Sequence, residues 1–304
     1  MERAPISVVM AAWNAAPTIA RALDSIAAQT VAPAEVIVVD DASTDATAAI
    51  AEAHPLKPRI VRHAANRGGA AALQSGLEAA ANDWVAFLDA DDEWLPEKLA
   101  AQVDALVAEP QASIVATGFT FIDREGQPAL DYGVTPFPHE GAEFWRNLLV
   151  DSAILQSSAL VRRDLALADG GVDASMRTGY DQKLFVRLAG QGPVAYVHRS
   201  LVRYHDAPGS LTKLPRAADI LPVLAMHERH LALFADRLTP AEQREIRRRR
   251  YAEAATGLVL ARAWGPALRA TAMALKSGEP PTRSLWRLVT NLPPGRQIKR
   301  LVRG

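Results

Sequence analysis

The stretch Trp84-Val85-Ala86-Phe87-Leu88-Asp89-Ala90-Asp91-Asp92-Glu93-Trp94 carries the strongest signal for the fold. Its short apolar run is typical of a buried strand, and the run leads directly into three carboxylates within four positions. Residues two apart on a strand share a face, so Asp89 and Asp91 are expected to point together. Like charges this close raise each other's pKa or need a partner, and a hard divalent cation is the natural partner. The alternative is an acidic turn that caps the next helix, with Pro96 in its first turn.

Strand and helix patterns alternate four times within the first 110 residues. The predicted strands cover residues 6–10, 35–40, 59–62 and 84–88, and the helices after them end near residues 26, 53, 81 and 108. This alternation is typical of βαβ units that build a mostly parallel sheet with helices on both faces. In such α/β sheets, ligands bind at the carboxyl ends of the strands.

Polar and aromatic turns follow three of these strands. Ala11-Ala12-Trp13-Asn14 follows the first, Asp40-Asp41 ends the second, and Asn66-Arg67-Gly68 precedes the third helix. Because carboxyl ends of parallel strands meet at one sheet edge, these turns are expected near Asp89 and Asp91. Together they predict a pocket for a nucleotide and a metal ion.

These motifs, in this order and spacing, resemble the N-terminal half of the family 2 glycosyltransferases, which have the GT-A fold. The resemblance covers residues 6–50 and 66–94 and includes Asp40-Asp41-Ala42-Ser43-Thr44-Asp45. Ala11 stands where the family usually has Pro, and Trp13 where it usually has Tyr. A Trp ring can still pack against a flat base, and the alternative for Trp13 is core packing.

The second half of the chain carries a further part of the resemblance. Thr178–Leu188 is similar to the family segment Glu-Asp-x-x-Leu-x-x-Arg, whose Asp is the catalytic base. Asp181 matches that Asp, and Tyr180 replaces the Glu. At a helix N-terminus the pKa of Asp181 is expected to be lowered, which keeps it ionised. The alternative is that Asp181 is only an N-cap.

A histidine near residue 205 completes the predicted site. Arg203-Tyr204-His205 with Ser210 is similar to a family element whose His lies near the diphosphate and sometimes the metal. The alternative is a surface His in a loop, and the other six histidines are left as structural or solvated. Around these motifs we predict strands at 113–119, 154–161, 194–197 and 201–204, a helix at 143–150 and a loop over 122–140.

The resemblance implies an inverting glycosyltransferase that uses a nucleotide-diphosphate sugar, with a UDP-sugar as first choice, and a hydroxyl of a glycan or lipid-linked acceptor. It assigns ligation of Mn²⁺ or Mg²⁺ to Asp91 and His205, and the role of catalytic base to Asp181. It assigns contacts with the nucleotide-sugar donor to Ala11, Trp13, Asn14, Asp40, Asp41, Arg67, Asp89 and Ala90. One rival is a nucleotidyltransferase, although residues 11–20 contain no Gly, Arg or Lys for a phosphate loop. The other rival is a non-catalytic nucleotide-sugar-binding protein.

Composition bounds the remaining questions. The 304 residues contain no cysteine and no apolar stretch long enough to span a membrane, so we expect a cytoplasmic protein. Residues 241–304 hold 14 Lys or Arg and only 4 Asp or Glu, including the run Arg247–Arg250. We therefore predict a donor-binding half at 1–110, an acceptor-binding half at 111–214, and a basic helical region at 215–304. That region is expected either to touch the inner face of the membrane or to pack on the acidic core, and not to bind nucleic acid.

Overall fold

The computed structural model describes residues 3–206 and 216–281. The chain divides into two compact units, Met1–Pro208 and Gly209–Gly304. The predicted boundary between residues 214 and 215 lies outside the described residues. Ser210 and the basic residues from Arg283 onward also lie outside them.

The first unit is a layered α/β structure. Its strands are β1 (Arg3–Ala12), β2 (Ala32–Asp40), β3 (Arg59–Arg62), β4 (Trp84–Phe87), β5 (Glu93–Trp94), β6 (Ile114–Ile122), β7 (Pro128–Tyr132), β8 (Leu160–Arg162) and β9 (Val194–His205). Its helices are α1 (Ile19–Ala27), α2 (Thr47–Ala53), α3 (Gly69–Ala79), α4 (Lys98–Ala108), α5 (Trp145–Val150), α6 (Arg163–Ala168) and α7 (Tyr180–Ala189).

The strands form one mixed sheet in the order β3-β2-β1-β4-β8-β6-β9-β5, with β7 beside β6. β1, β2, β3 and β4 pair in parallel, as the βαβ pattern predicted, and β6 also pairs in parallel with β9. The β4–β8, β6–β8, β6–β7 and β5–β9 pairs are antiparallel. The carboxyl ends of β1, β2 and β4 therefore lie side by side at one edge of the sheet.

Helices cover both faces of this sheet, and β1 shows how its residues divide between them. Ile6, Val8 and Met10 are buried in the cluster that also contains core residues of α1 and α4. Val9 points to the opposite face, where α3 packs so closely that a Cβ on Gly76 would lie 2.2 Å from Val9 Cγ1. A central strand that is apolar on both faces is what a buried parallel sheet requires.

Three local predictions in the second half were wrong. The segment 154–161 is mostly not a strand, because Gln156–Ser158 forms a 3₁₀ turn before β8. The predicted loop 122–140 contains β7, whose residues are largely exposed. The two strands predicted at 194–197 and 201–204 are one continuous strand, β9, with an irregularity in its pairing next to Gly118.

The second unit is helical where it is described. It contains α8 (Ala217–Leu233), α9 (Pro240–Leu260) and α10 (Trp264–Lys276). Thr239 and Glu242 form a capping box at the start of α9, and Leu258 and Val259 pack with alanines of α10 in a small core. Over the described residues, no helix has both the length and the apolar content to cross a membrane.

Candidate active site

The acidic motif forms a tight turn just beyond β4. β4 ends at Phe87, and the backbone N–H of Asp92 donates to the carbonyl oxygen of Asp89 at 3.1 Å. One carboxylate oxygen each of Asp89, Asp91 and Asp92 lies within 4.8 Å of the others. The side chains do come together, but the predicted reason was wrong, because a turn and not strand alternation places them.

The 3₁₀ turn at Gln156–Ser158 holds this acidic turn in place. The Ser157 hydroxyl donates to the Asp92 carboxylate at 2.5 Å and accepts the Asp89 backbone N–H at 3.1 Å. The Gln156 side-chain amide donates to the Asp89 carboxylate, and the His205 backbone N–H donates to Asp92 at 3.1 Å. Asp92 is fully buried, whereas Asp89 is only half-buried. Asp92 therefore supports the turn, a role that the sequence did not reveal.

The electrostatics of the turn favour a cation. Burial, Asp91 and Asp181 together raise the pKa of Asp89 to about 7. Burial and the charges of Asp89 and Asp91 raise the pKa of Asp92 well above its ordinary value. Carboxylate oxygens are the ligands preferred by hard cations such as Mg²⁺ and Mn²⁺, so this donor set fits such an ion.

Asp181 lies in the first turn of α7, close enough for its charge to act on Asp89. The N-cap is Gly179, with φ of 73°, so the alternative that Asp181 is merely an N-cap is wrong. The expected lowering of its pKa was also wrong. Burial raises the pKa of Asp181 and outweighs the backbone N–H groups of Gln182 and Asp181 that donate to it.

Tyr180, which replaces the usual Glu, faces the same acidic group. Its hydroxyl oxygen would lie 3.2 Å from a Cβ on Gly69, the first residue of α3. Burial and the charges of Asp89, Asp181 and Asp91 raise its pKa, so the phenol stays protonated. A neutral hydrogen-bond donor thus stands where the family usually has another carboxylate.

The turns after β1 and β2 are tied to each other. The Asn14 backbone N–H donates to Ser43 Oγ at 3.1 Å, and the Thr44 N–H donates to Asn14 Oδ1 at 2.8 Å. Trp13 is 57% exposed, which excludes the alternative that it packs in the core. Ala11 is half-buried and Ala90 is buried, so each offers mainly backbone to a ligand. Donor contacts by these residues stay predictions.

Asp41 is committed to the Asn66-Arg67-Gly68 turn. Its carboxylate accepts the backbone N–H groups of Arg67 at 2.9 Å and Gly68 at 2.7 Å, and His63 Nδ1 lies 2.6 Å away. Asp40 accepts the Ser43 N–H at 3.1 Å. The Arg67 side chain is exposed beside this turn. Contact of Asp40, Asp41 or Arg67 with the nucleotide stays a prediction. His63 is a supporting residue that the sequence did not indicate.

His205 lies next to the acidic turn but outside its group of converging oxygens. Its Nε2 is 2.7 Å from Glu93 Oε1, and Glu93 also contacts Arg21 at 3.1 Å and Arg203 at 3.4 Å. Burial and the Arg21 charge lower the pKa of His205, so the imidazole tends to stay neutral. Metal ligation by His205 stays a prediction.

Comparisons with known proteins agree with this geometry. The model of the family described as glycosyl transferase family 2 matches residues 7–166. The succinoglycan biosynthesis protein ExoO of Rhizobium meliloti (strain 1021) is 29% identical over 266 residues, covering 84% of this chain and 76% of that protein. The chain also resembles S. aureus TarS 1–349 in complex with UDP-GlcNAc, with a TM-score of 0.60, 16% identity, and coverage of 98% of this chain and 92% of that fragment.

A second structural neighbour is the mannosyltransferase PcManGT from Pyrobaculum calidifontis, in complex with GDP-Man and Mn²⁺. Its TM-score is 0.54 at 24% identity, with coverage of 99% of this chain and 84% of that one. The family match, together with the named relatives, excludes the rival interpretations as a nucleotidyltransferase or a non-catalytic binding protein. The matched family model covers more than half of the chain, and the chain therefore belongs to glycosyl transferase family 2 and is a glycosyltransferase of the GT-A fold.

Proposed function

We propose that this glycosyltransferase is inverting and transfers a sugar from a nucleotide-diphosphate sugar, with a UDP-sugar as first choice, to an acceptor hydroxyl. The observation that carries the proposal is that oxygens of Asp89, Asp91 and Asp92 converge within 4.8 Å, while Asp181, in the first turn of α7, is close enough for its charge to act on Asp89. A base beside a cation-binding group is the combination needed to activate a hydroxyl and to stabilise a departing diphosphate.

The donor would lie along the edge where β1, β2 and β4 end. Exposed Trp13 would stack on the base, with Asn14 shaping its turn, and Arg67 would approach from the turn that Asp41 holds. Asp40 and the backbone of Ala11 would also contact the nucleotide base. Asp89 and the backbone of Ala90 would face the ribose. TarS with UDP-GlcNAc and PcManGT with GDP-Man support a nucleotide sugar, and only the first supports uridine.

Asp91, with Asp89, would hold Mn²⁺ or Mg²⁺, and His205 is the further candidate ligand. The ion would neutralise negative charge on the diphosphate as it leaves. Asp92 would not need to reach the ion, because Ser157 and the His205 backbone already occupy its carboxylate. Its contribution would be to fix the turn that presents Asp89 and Asp91.

Asp181 would take the proton from the acceptor hydroxyl. The freed oxygen attacks the anomeric carbon from the face opposite the nucleoside diphosphate, so the new glycosidic bond forms as the bond to phosphate breaks and the configuration inverts. Burial raises the pKa of Asp181, which makes its carboxylate a stronger base than an exposed one. Tyr180 would donate a hydrogen bond beside it, to the sugar or the acceptor.

The acceptor is proposed at the level of its chemical class. The similarity to a succinoglycan biosynthesis protein supports a hydroxyl on a glycan or on a lipid-linked sugar. We propose residues 111–214 as the acceptor-binding half, and a cytoplasmic location is part of the same proposal.

The proposal is tested by incubating the protein with UDP-, GDP- and dTDP-sugars, with and without Mn²⁺ or Mg²⁺, and measuring nucleotide release. We expect release from one donor class, dependent on the ion, and a loss of at least about 10³-fold in Asp91→Asn, since the ion supplies several kcal/mol. The control is Asp104→Asn, which removes an exposed carboxylate of α4. Equal turnover by Asp91→Asn and wild type would refute the metal assignment, and a product of retained anomeric configuration would refute inversion.

A further inference from the structure

The dense basic run of the second unit is neutralised by the protein itself. Arg248 contacts Glu245 and Glu279, both at 2.5 Å, and Arg249 contacts Glu245 at 2.8 Å. Arg247 pairs with Glu228 at 3.1 Å, and Arg250 is buried and pairs with Glu253 at 3.2 Å. The segment with the highest positive charge in the sequence is therefore a poor candidate for an anionic partner.

Helix α10 has the opposite character, with a large apolar stripe in water. Trp264, Leu268 and Leu275 are 48%, 61% and 38% exposed. At 100° per residue they fall within about 40° of one another around the helix. The buried face of α10 consists of Ala267, Ala270 and Ala274, and the first two pack in the small core with α9, so the stripe is not needed for the core of the unit.

The charges around this stripe all have one sign. Arg269 and Lys276 are exposed on α10, Arg262 is exposed just before it, and the helix contains no acidic residue. Within residues 216–281, none of these three cations forms an ion pair. The sequence beyond α10 adds six more basic residues and no acidic one between positions 282 and 304.

We propose that the exposed face of α10 is a membrane-surface helix that inserts Trp264, Leu268 and Leu275 into the interface of an anionic lipid bilayer. A tryptophan and two leucines beside cations match an interfacial helix, in which apolar side chains enter the headgroup boundary and basic groups contact anionic lipids. A protein partner is less well matched, because the face offers no acidic group for a mixed-charge interface. This surface is independent of the donor site and would place the enzyme beside a membrane.

The test is co-sedimentation of the full-length protein with vesicles of phosphatidylcholine alone or with one quarter phosphatidylglycerol. The stripe variant is Trp264→Ser/Leu268→Ser/Leu275→Ser, and its control is Val107→Ser/Leu130→Ser/Val134→Ser, which changes side chains of the first unit that are 76%, 60% and 40% exposed. The charge variant is Arg269→Glu/Lys276→Glu, matched in net charge by Lys57→Glu/Arg199→Glu, two exposed cations of the first unit.

We expect wild type and both controls to bind the anionic vesicles, and the stripe and charge variants to bind at least about tenfold more weakly. Binding should fall on raising the salt concentration, because the attraction to lipid charge is screened. Circular dichroism should stay unchanged in every variant, and nucleotide release measured without vesicles should stay unchanged in the stripe and charge variants. Wild type that stays in the supernatant, or a stripe variant that binds as well as wild type, would overturn the proposal. A dimer of wild type that the stripe variant dissolves, with no vesicle binding, would assign the face to a second copy of the chain.

Discussion

The acidic turn of the first unit and the arginine run of the second are both dense clusters of like charge. They differ in whether side chains of opposite charge neutralise them. In the turn, one carboxylate oxygen each of Asp89, Asp91 and Asp92 lies within 4.8 Å of the others, and burial together with mutual repulsion raises the pKa values of Asp89 and Asp92. In the run Arg247–Arg250, every guanidinium has a glutamate within 3.2 Å.

This difference distinguishes charged groups that can bind a ligand from charged groups that stabilise the fold. Like charges held close together cost folding free energy, and they persist where a ligand is to supply the opposite charge. The Arg–Glu pairs of α9 are satisfied internally and leave nothing for a partner to complete. Pairing in the structure, and not charge density in the sequence, therefore identifies the functional cluster.

The largest expected effect comes from replacing Asp181, the proposed base beside the acidic turn. For Asp181→Asn, we expect kcat for sugar transfer to fall by about 10²–10⁴, because proton transfer from the acceptor is lost. The dissociation constant for the nucleotide sugar should stay within about twofold, as calorimetry can measure. The matched control is Asp164→Asn, since Asp164 holds the same position in the first turn of α6 but lies on the surface beside Arg162. Unchanged transfer by Asp181→Asn would show that the acidic end of the sheet acts without this base.

The second prediction tests whether the arginine run is structural. Arg248 joins Glu245 to buried Glu279, so Arg248→Ala leaves a buried carboxylate without this partner. We expect a loss of about 3 kcal/mol in the free energy of unfolding, measured with urea. Arg249→Ala removes an exposed pair with the same Glu245 and should cost less than about 0.5 kcal/mol. Equal costs for both would mean that pairing does not distinguish the members of this run.

The sequence predicts the donor half of the fold because its signals are local. Strands at 6–10, 35–40, 59–62 and 84–88 follow from short apolar runs, and their parallel pairing follows from the helices between them. Strand β7 was missed because its residues are exposed and show no apolar alternation. Local pattern therefore suffices for these four parallel strands and fails for β7, which is defined only by its pairing with β6.

The parts of the site that were missed depend on contacts far apart in sequence. Ser157 and Gln156 reach the acidic turn across 65 to 68 positions, and these bonds favour a 3₁₀ turn over the predicted strand. His63 reaches Asp41 across 22 positions, and nothing local marks either residue for the other. The sign of the Asp181 pKa shift was wrong for the same reason, because burial is a tertiary property that helix position does not report.

The smallest predicted effect concerns His227 of the second unit, which stays neutral in the folded protein instead of forming an ion pair. Burial, with Arg250 and His230 nearby, lowers the pKa of His227 to about 2, against about 6.5 in an unfolded chain. Between these values the unfolded state binds a proton that the folded state does not, so stability falls as pH falls below about 6.5. One such group contributes a slope of about 1.4 kcal/mol per pH unit. We expect His227→Gln to remove that slope when the free energy of unfolding is measured with urea at pH 7, 6 and 5. An equal slope in both proteins would mean that His227 takes up its proton without unfolding.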